Sequence, residues 1–204
     1  MIFISLFRTS RTPFESENQL IKIIKKFCEQ KKIKLKVLGK FKDLSRQIRE
    51  RNYFKNILNN NYFFIKNSEA RKTYKHLDAS EIVVSSGSTM GLESLGRKNK
   101  TAIIHSLPKK PFKKSFWGYF TKRKDDGFFW SNNLSEKNWS NILSEKKIFR
   151  VLNNLKLISK KKWERKIKNY DYETCVYDYK NIKLKKAIQN ICRQNNFNIL
   201  PFLK

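Results

Sequence analysis

The residues best suited to do chemistry form one short stretch, Glu81–Glu93, which reads EIVVSSGSTMGLE. Its apolar run Ile82–Val84 predicts a buried strand, because β-branched residues favour strands. Small residues follow from Ser85 to Thr89, and a helical pattern begins at Met90. A strand that turns into a helix in this way leaves backbone N–H groups at the positive end of the helix dipole. The stretch therefore predicts a phosphate-binding turn.

Side chains within this turn suggest separate roles. Ser86 and Gly87 could bind a phosphate through their backbone amides, and Gly87 is free to adopt a positive φ. Ser88 and Thr89 could add hydroxyl donors, and Glu93, one turn further along, could accept hydrogen bonds from a ribose. The alternative is a capped helix after a core strand, since Ser and Thr are common N-caps. The local pattern leaves both interpretations open.

Strands and helices alternate along the first half of the chain, which predicts an α/β fold with a Rossmann-like parallel sheet flanked by helices. The predicted strands are Ile2–Phe7, Lys34–Leu38, Tyr62–Ile65, Ile82–Val84 and Thr101–His105. The predicted helices between them are Glu17–Lys31, Phe41–Arg51, a segment ending near Leu77, and a helix from Met90 to about Gly96. In the second of these helices we expect Leu44 and Ile48 to face inward.

The second half is predicted to be mainly helical, after a basic and aromatic loop at residues 107–124. The predicted helices are one capped by Ser135 and running to Leu143, then Ile148–Ile158, Lys160–Ile167 and Asn181–Cys192. We therefore divide the chain into a Rossmann-like domain, residues 1–147, which includes the loop, and a helical C-terminal extension, residues 148–204.

Several polar residues follow predicted strands, where α/β sheets bind ligands. Arg8 comes directly after the first strand and could pair with a phosphate through two hydrogen bonds, although a solvated loop arginine is the alternative. His105 ends the fifth strand and is a candidate for contact with substrate. The other residues predicted at this edge are Gly39, Lys40 and Lys66.

The charge balance points to an anionic partner but does not identify it. Among 204 residues there are 46 Lys+Arg and 17 Asp+Glu, which gives a formal charge of +29. Such an excess favours RNA, an anionic membrane surface or a nucleotide. The many Lys, Asn, Ile and Phe residues also fit the bias of an AT-rich genome, and the charge is spread over the chain. A non-enzymatic basic module that binds RNA or an anionic membrane therefore stays the alternative function, with nucleic acid the less favoured partner.

Motifs of other functional classes are missing. Cys28, Cys175 and Cys192 have no CxxC spacing, which predicts free thiols in a reducing compartment. His76 and His105 are not spaced as zinc ligands, so we predict no metal site and no cofactor. The sequence contains no GxxxxGK[ST], GxGxxG or GxSxG. No apolar run approaches the roughly 18 residues of a membrane span, so we expect a cytoplasmic protein, with the inner face of the cytoplasmic membrane as a place of peripheral contact.

With these residues in place, the sequence resembles a known family. Ser88–Glu93 followed by Leu95–Lys100 is similar to the STLGxEALARGKK segment of bacterial surface-carbohydrate biosynthesis transferases, which are GT-B-type glycosyltransferases. The likeness runs in order along nearly the whole chain, in the blocks Ser5–Arg8, Lys36–Lys40, Gly127–Ser131, Trp163 and Tyr177–Asn181. The departures from the family pattern, at Leu92, Phe128 and Lys180, remove neither the phosphate turn nor Glu93.

The resemblance implies a single GT-B-type half-domain that binds a nucleotide-sugar in surface polysaccharide or lipopolysaccharide biosynthesis. It implies that Ser88 and Thr89 meet the donor phosphate, that Glu93 holds the ribose, and that Arg8 steadies the leaving phosphate. The residues implied for the base pocket are Gly39, Lys40 and Lys66. It identifies no catalytic base. The acceptor-binding part would come from a separate domain or chain, so we expect a partial or split enzyme.

Overall fold

The computed structural model describes residues 1–7, 15–67, 70–104, 139–140, 143–168 and 182–195. Within these ranges the strands are β1 (Ile2–Ile4), β2 (Lys36–Leu38), β3 (Phe63–Ile65), β4 (Val83–Ser85), β5 (Thr101–Ile104) and β6 (Trp139–Ser140). The helices are α1 (Glu15–Gln30), α2 (Leu44–Leu58), α3 (Ala70–Asp78), α4 (Thr89–Gly96), α5 (Glu145–Leu157), α6 (Lys160–Ile167) and α7 (Ile182–Gln194).

The strands form one parallel sheet in the order β3-β2-β1-β4-β5-β6. The chain moves outward from β1 to β3, returns across the sheet, and then builds the other half from β4. A helix lies on each crossover from β1 to β5, as parallel neighbours require. The predicted Rossmann-like parallel sheet flanked by helices is confirmed.

Two apolar layers cover the sheet, because successive residues of a strand point to opposite faces. In β1, Phe3 belongs to the larger layer, together with side chains of α1, α2 and α5. Ile2 and Ile4 belong to the smaller layer, together with Leu77 of α3. A strand covered on both faces has no solvent side, which explains why β1 is continuously apolar.

Helix α2 differs from its prediction in both length and orientation. It continues to Leu58 instead of ending at Arg51, and Leu44 and Ile48, which we expected to face inward, are 66% and 51% exposed. The residues of its buried face are Gln47, Glu50, Phe54 and Leu58. The prediction was wrong because it let apolar side chains decide the buried face. The Glu50 carboxylate is buried instead, where it accepts hydrogen bonds from the loop after β2.

The predicted helix from Ser135 to Leu143 is wrong where the structure describes it. Trp139–Ser140 form β6, which pairs with Ile103–Ile104 and extends the sheet. The next helix, predicted from Ile148, begins at Glu145. Its N-cap is Ser144, whose hydroxyl accepts a hydrogen bond from the Lys147 amide at 3.2 Å. A two-residue strand carries too little periodicity to be recognised in a sequence.

Helices α5 and α6 join the same core as the sheet. Ile148 and Val151 of α5 and the fully buried Trp163 of α6 lie in the larger apolar layer. The bounds predicted for α6 are confirmed. The domain division at residue 147 remains a prediction, and it falls inside α5. The basic loop at residues 107–124 lies outside the described residues. In the described ranges, no helix combines the length and the apolar character needed to cross a membrane.

Candidate functional site

The strand order puts a switch point between β1 and β4 at the carboxyl edge of the sheet, where a doubly wound sheet has its crevice,. The crossover that begins after β1 leads to β2 on one side, and the crossover that begins after β4 leads to β5 on the other, so the strand order reverses between β1 and β4. Ile4 and Ser85 are paired at the ends of these two strands, so both strands end at the same level. In open α/β sheets a crevice of this kind is the usual ligand site.

The turn between β4 and α4 has the geometry of a helix N-terminus. Ser88 is the N-cap, and its hydroxyl accepts a hydrogen bond from the Met90 amide at 3.3 Å. The Ser88 amide donates to the Ser85 hydroxyl at 3.2 Å. Gly87 has a φ of 125°, a conformation that favours glycine,. The predicted turn from strand to helix is therefore present, and so is the N-cap of the alternative interpretation.

Two backbone amides in this turn are candidates for binding a ligand. No described residue accepts a hydrogen bond from the amide of Gly87 or of Thr89. Both amides lie beside the first turn of α4, where the helix dipole is positive. Thr89 is exposed, and Ser86, Gly87 and Ser88 are partly exposed. The capping bond between Met90 and Ser88 therefore uses one amide of the turn, while the amides of Gly87 and Thr89 could donate hydrogen bonds to an anion.

Helix α4 lies unusually close to β4 because of Gly91. A Cβ atom at this position would lie 2.4 Å from both Cβ and Oγ of Ser85. Ser85 is fully buried, and its hydroxyl also accepts the hydrogen bond from the Ser88 amide. The glycine therefore sets the distance between the helix and the strand, and with it the shape of the turn between them.

Glu93 makes a contact that the sequence did not reveal. It is partly exposed, and its Oε2 accepts a hydrogen bond from the hydroxyl of Tyr74 on α3. The guanidinium of Arg97 lies over the Tyr74 ring, 4.9 Å from its centroid. Arg97 in turn forms two hydrogen bonds with Asp78, one of them from Nε at 2.9 Å. Contact between Glu93 and a ribose stays a prediction.

The loops that follow β2 and β3 are joined to each other. Lys40 donates its amide to both carboxylate oxygens of Glu50 at 3.0 Å. The Asn67 side chain donates to the Lys40 carbonyl at 2.7 Å, and Gln47 donates to the carbonyl of Asn67 at 3.1 Å. The side chain of Lys66, beside Asn67, is exposed. The predicted base-pocket residues Lys40 and Lys66 thus follow neighbouring strands in loops that hydrogen bonds hold together.

Gly39, the third residue predicted for the base pocket, is covered by the protein itself. A Cβ atom there would lie 2.7 Å from Cζ of Phe64 and 3.2 Å from the Glu50 carboxylate. Close packing therefore gives one sufficient reason for a glycine at this position. Arg8 and His105, the other predicted site residues, lie outside the described residues, and so does Cys175.

Comparison with known families shows to which protein family this chain belongs. A family model described as "putative O-antigen biosynthesis protein" matches residues 11–192. The chain belongs to this family. A search of curated proteins finds no match. The matched range includes the β4–α4 turn and Glu93, and the family description agrees with the predicted link to surface-carbohydrate biosynthesis. Membership of the GT-B glycosyltransferases remains a prediction.

Two buried carboxylates at the carboxyl edge escaped the sequence analysis of this family member. The fully buried Glu50 holds the loop after β2, and the largely buried Glu17 accepts a hydrogen bond from the Leu6 amide at 2.9 Å. Burial raises the pKa of Glu50, while hydrogen bonds from Ser5 and the loop amides partly offset that effect. The sequence offered one signal for a special role of Glu17 and Glu50. Both are acidic residues in a strongly basic chain, and both lie within a few residues of positions predicted to face inward.

A shallow depression at the opposite edge of the sheet is not part of this crevice. It measures about 240 Å³ and is lined by residues near the amino ends of β2 and β3, among them Lys34 and Phe63. Cys28 also contributes to it, and burial raises the pKa of this thiol to about 11. Cys28 and Cys192 are buried free thiols, as predicted. Among the described residues, no group of three His, Cys, Asp or Glu side chains could hold a metal ion.

Proposed function

We propose that this protein acts in O-antigen biosynthesis as the nucleotide-sugar-binding part of a glycosyltransferase. The observation that carries the proposal is the β4–α4 turn, where the Gly87 and Thr89 amides lie at the N-terminal end of α4 and next to the switch point of the sheet. Family membership supports the pathway, because the family description names O-antigen biosynthesis. The switch-point geometry supports the class of ligand, because nucleotides bind at this position in doubly wound sheets.

The donor phosphate would lie against the turn. The amides of Gly87 and Thr89 would donate to its oxygens, with help from the hydroxyls of Ser88 and Thr89 and from the Ser86 backbone. The formal charge of +29 would raise the local concentration of an anionic donor,. As the sugar transfers, negative charge develops on the departing phosphate, and the amides together with Arg8 would stabilise it.

The nucleoside would extend from the phosphate along the same edge. Glu93 would accept hydrogen bonds from ribose hydroxyls, and the loops with Gly39, Lys40 and Lys66 would surround the base. The acceptor would be bound by a separate domain or chain. Glycosyl transfer in this pathway would take place in the cytoplasm, with peripheral contact at the inner face of the membrane.

Glu93→Ala tests the proposal by titration calorimetry with UDP-, GDP- and CMP-sugars. We expect the wild type to bind one of these donors, and the variant to lose at least about tenfold in affinity, because a hydrogen bond to a charged group contributes roughly 1.5–3 kcal/mol. Glu81→Ala is the matched control. It removes the same charge from an exposed glutamate just before β4, at the opposite edge of the sheet, and should bind like the wild type.

The same proteins distinguish a general polyanion-binding module. Such a module would bind RNA and heparin with a steep dependence on salt, and Glu93→Ala would not weaken that binding. Equal affinity of the wild type and Glu93→Ala for every donor would show that Glu93 is misassigned. No donor binding by the wild type would refute the proposed function.

A further inference from the structure

The hydroxyl of Tyr74 is the one described side-chain donor to the Glu93 carboxylate. The two residues lie on different helices, α3 and α4, and are 19 positions apart. The bond engages Oε2 of Glu93, so Oε1 and the remaining lone pairs can accept hydrogen bonds from a ligand. A carboxylate held by one internal donor keeps its accepting capacity but loses its freedom to rotate.

The tyrosine is itself held in place from two sides. Its ring packs against the smaller apolar layer, together with Ile65 and Met90. On another side lies the guanidinium of Arg97, 4.9 Å from the ring centroid. Because the ring cannot move without disturbing both contacts, its hydroxyl is a fixed point toward which Glu93 is oriented.

The position of Arg97 is fixed in the same way. It donates two hydrogen bonds to Asp78 at the end of α3, and Asn99 donates a third to the same carboxylate at 3.0 Å. The Asn99 carbonyl accepts a hydrogen bond from the indole of the buried Trp163 at 2.9 Å. Contacts therefore run without interruption from the core of α6 to Glu93, at the edge of the crevice.

We propose that Tyr74 is a positioning residue, which orients Glu93 to recognise the ribose hydroxyls of a nucleotide. The inference rests on the proposed function, since it concerns the ligand of the same site. A free glutamate side chain loses rotamer freedom when it binds a ligand. The Tyr74 hydroxyl removes much of that freedom beforehand, so the carboxylate meets the pentose in its bound orientation.

Tyr74→Phe tests this role, because it removes the hydroxyl and keeps the ring that carries Arg97. The readout is the ratio of affinities for a ribonucleotide and its 2′- and 3′-deoxy analogues, measured by calorimetry with UDP, GDP or CMP, whichever the wild type binds tightest. We expect the ratio to fall about three- to tenfold in the variant, the value of one hydrogen bond, while the affinity for the deoxy analogues stays unchanged.

Tyr62→Phe is the matched control, because the Tyr62 hydroxyl donates to the Arg51 carbonyl, away from α4. Its ratio should equal that of the wild type. A merely structural role for Tyr74 would lower the affinity for both nucleotides together and leave the ratio unchanged, which would overturn the inference while the proposed function stands. A wild type that binds nucleotide without distinguishing ribose also overturns it. A wild type that binds no nucleotide overturns both.

Discussion

Gly91→Ala should destabilise the protein, although alanine favours helices. In an exposed helix the change would add about 1 kcal/mol of stability. Here the new Cβ would lie 2.4 Å from both side-chain atoms of Ser85. Carbon atoms prefer a separation of about 3.5–4.0 Å, so α4 must move away from β4 by on the order of 1 Å. Overpacking of this kind costs about 1–3 kcal/mol. Because the new atom clashes with two atoms of a buried residue, we expect a cost of about 2–3 kcal/mol, and therefore a net loss of about 1–2 kcal/mol.

The position of the clash explains why relaxation is limited. Ser85 has a short side chain on a buried strand, so its Cβ cannot rotate out of the way. Its hydroxyl also accepts the hydrogen bond from the Ser88 amide. A displaced α4 would therefore also distort the β4–α4 turn, and affinity for the proposed nucleotide-sugar donor should fall together with stability.

Urea unfolding followed by circular dichroism measures the effect, and Ser85→Gly provides the matched background because it removes both clashing atoms. In that background Gly91→Ala should be neutral or stabilising, which gives a coupling free energy of about 1 kcal/mol or more between the two positions. If Gly91→Ala is as stable as the wild type, or if the effects of the two changes simply add, α4 does not depend on this close approach.

Two further predictions concern the charged groups that support the site. Glu50→Ala should lower the free energy of unfolding by about 2–4 kcal/mol, because the partly buried Lys40 amide and the other donors to this buried carboxylate lose their acceptor,. Urea unfolding checks this, and an effect no larger than that of the exposed Glu29→Ala would contradict it. Burial alone would raise the pKa of Asp78, but the hydrogen bonds from Arg97 and Asn99 and the Arg97 charge lower it below the usual 3.8. The folded-state pKa is depressed, so the stability that the carboxylate adds is present above pH 3.8 and is lost as pH falls toward the folded-state value. The difference in unfolding free energy between the wild type and Asp78→Asn should therefore be constant from pH 7 to 5 and shrink below about pH 4, and a difference that does not depend on pH would show that this pairing adds nothing.

The parts of the fold that were predictable depend on short-range patterns. The apolar part of β4, a Ser or Thr cap for α4 and the helix at Lys160–Ile167 each follow from residues within one or two turns. The alternation of such elements indicates a parallel sheet, because parallel strands need crossovers. Local patterns failed at α2, where the buried face includes the hydrogen-bonded Gln47 and Glu50 while Leu44 and Ile48 are exposed, because the partners of these polar side chains lie outside the helix.

The candidate site divides in the same way. The sequence by itself determined the types of chemical group available, namely small residues that expose amides before a helix and a carboxylate one turn later. Only the tertiary structure decided which of those groups are engaged, because Tyr74 reaches Glu93 from another helix and Ser85 meets Gly91 across the helix–strand packing. The tertiary structure also decided the strand order, since the pairing of β1 with β4 joins segments about 80 residues apart,. Contacts of that range depend on how whole elements pack, and no local pattern of residues encodes them.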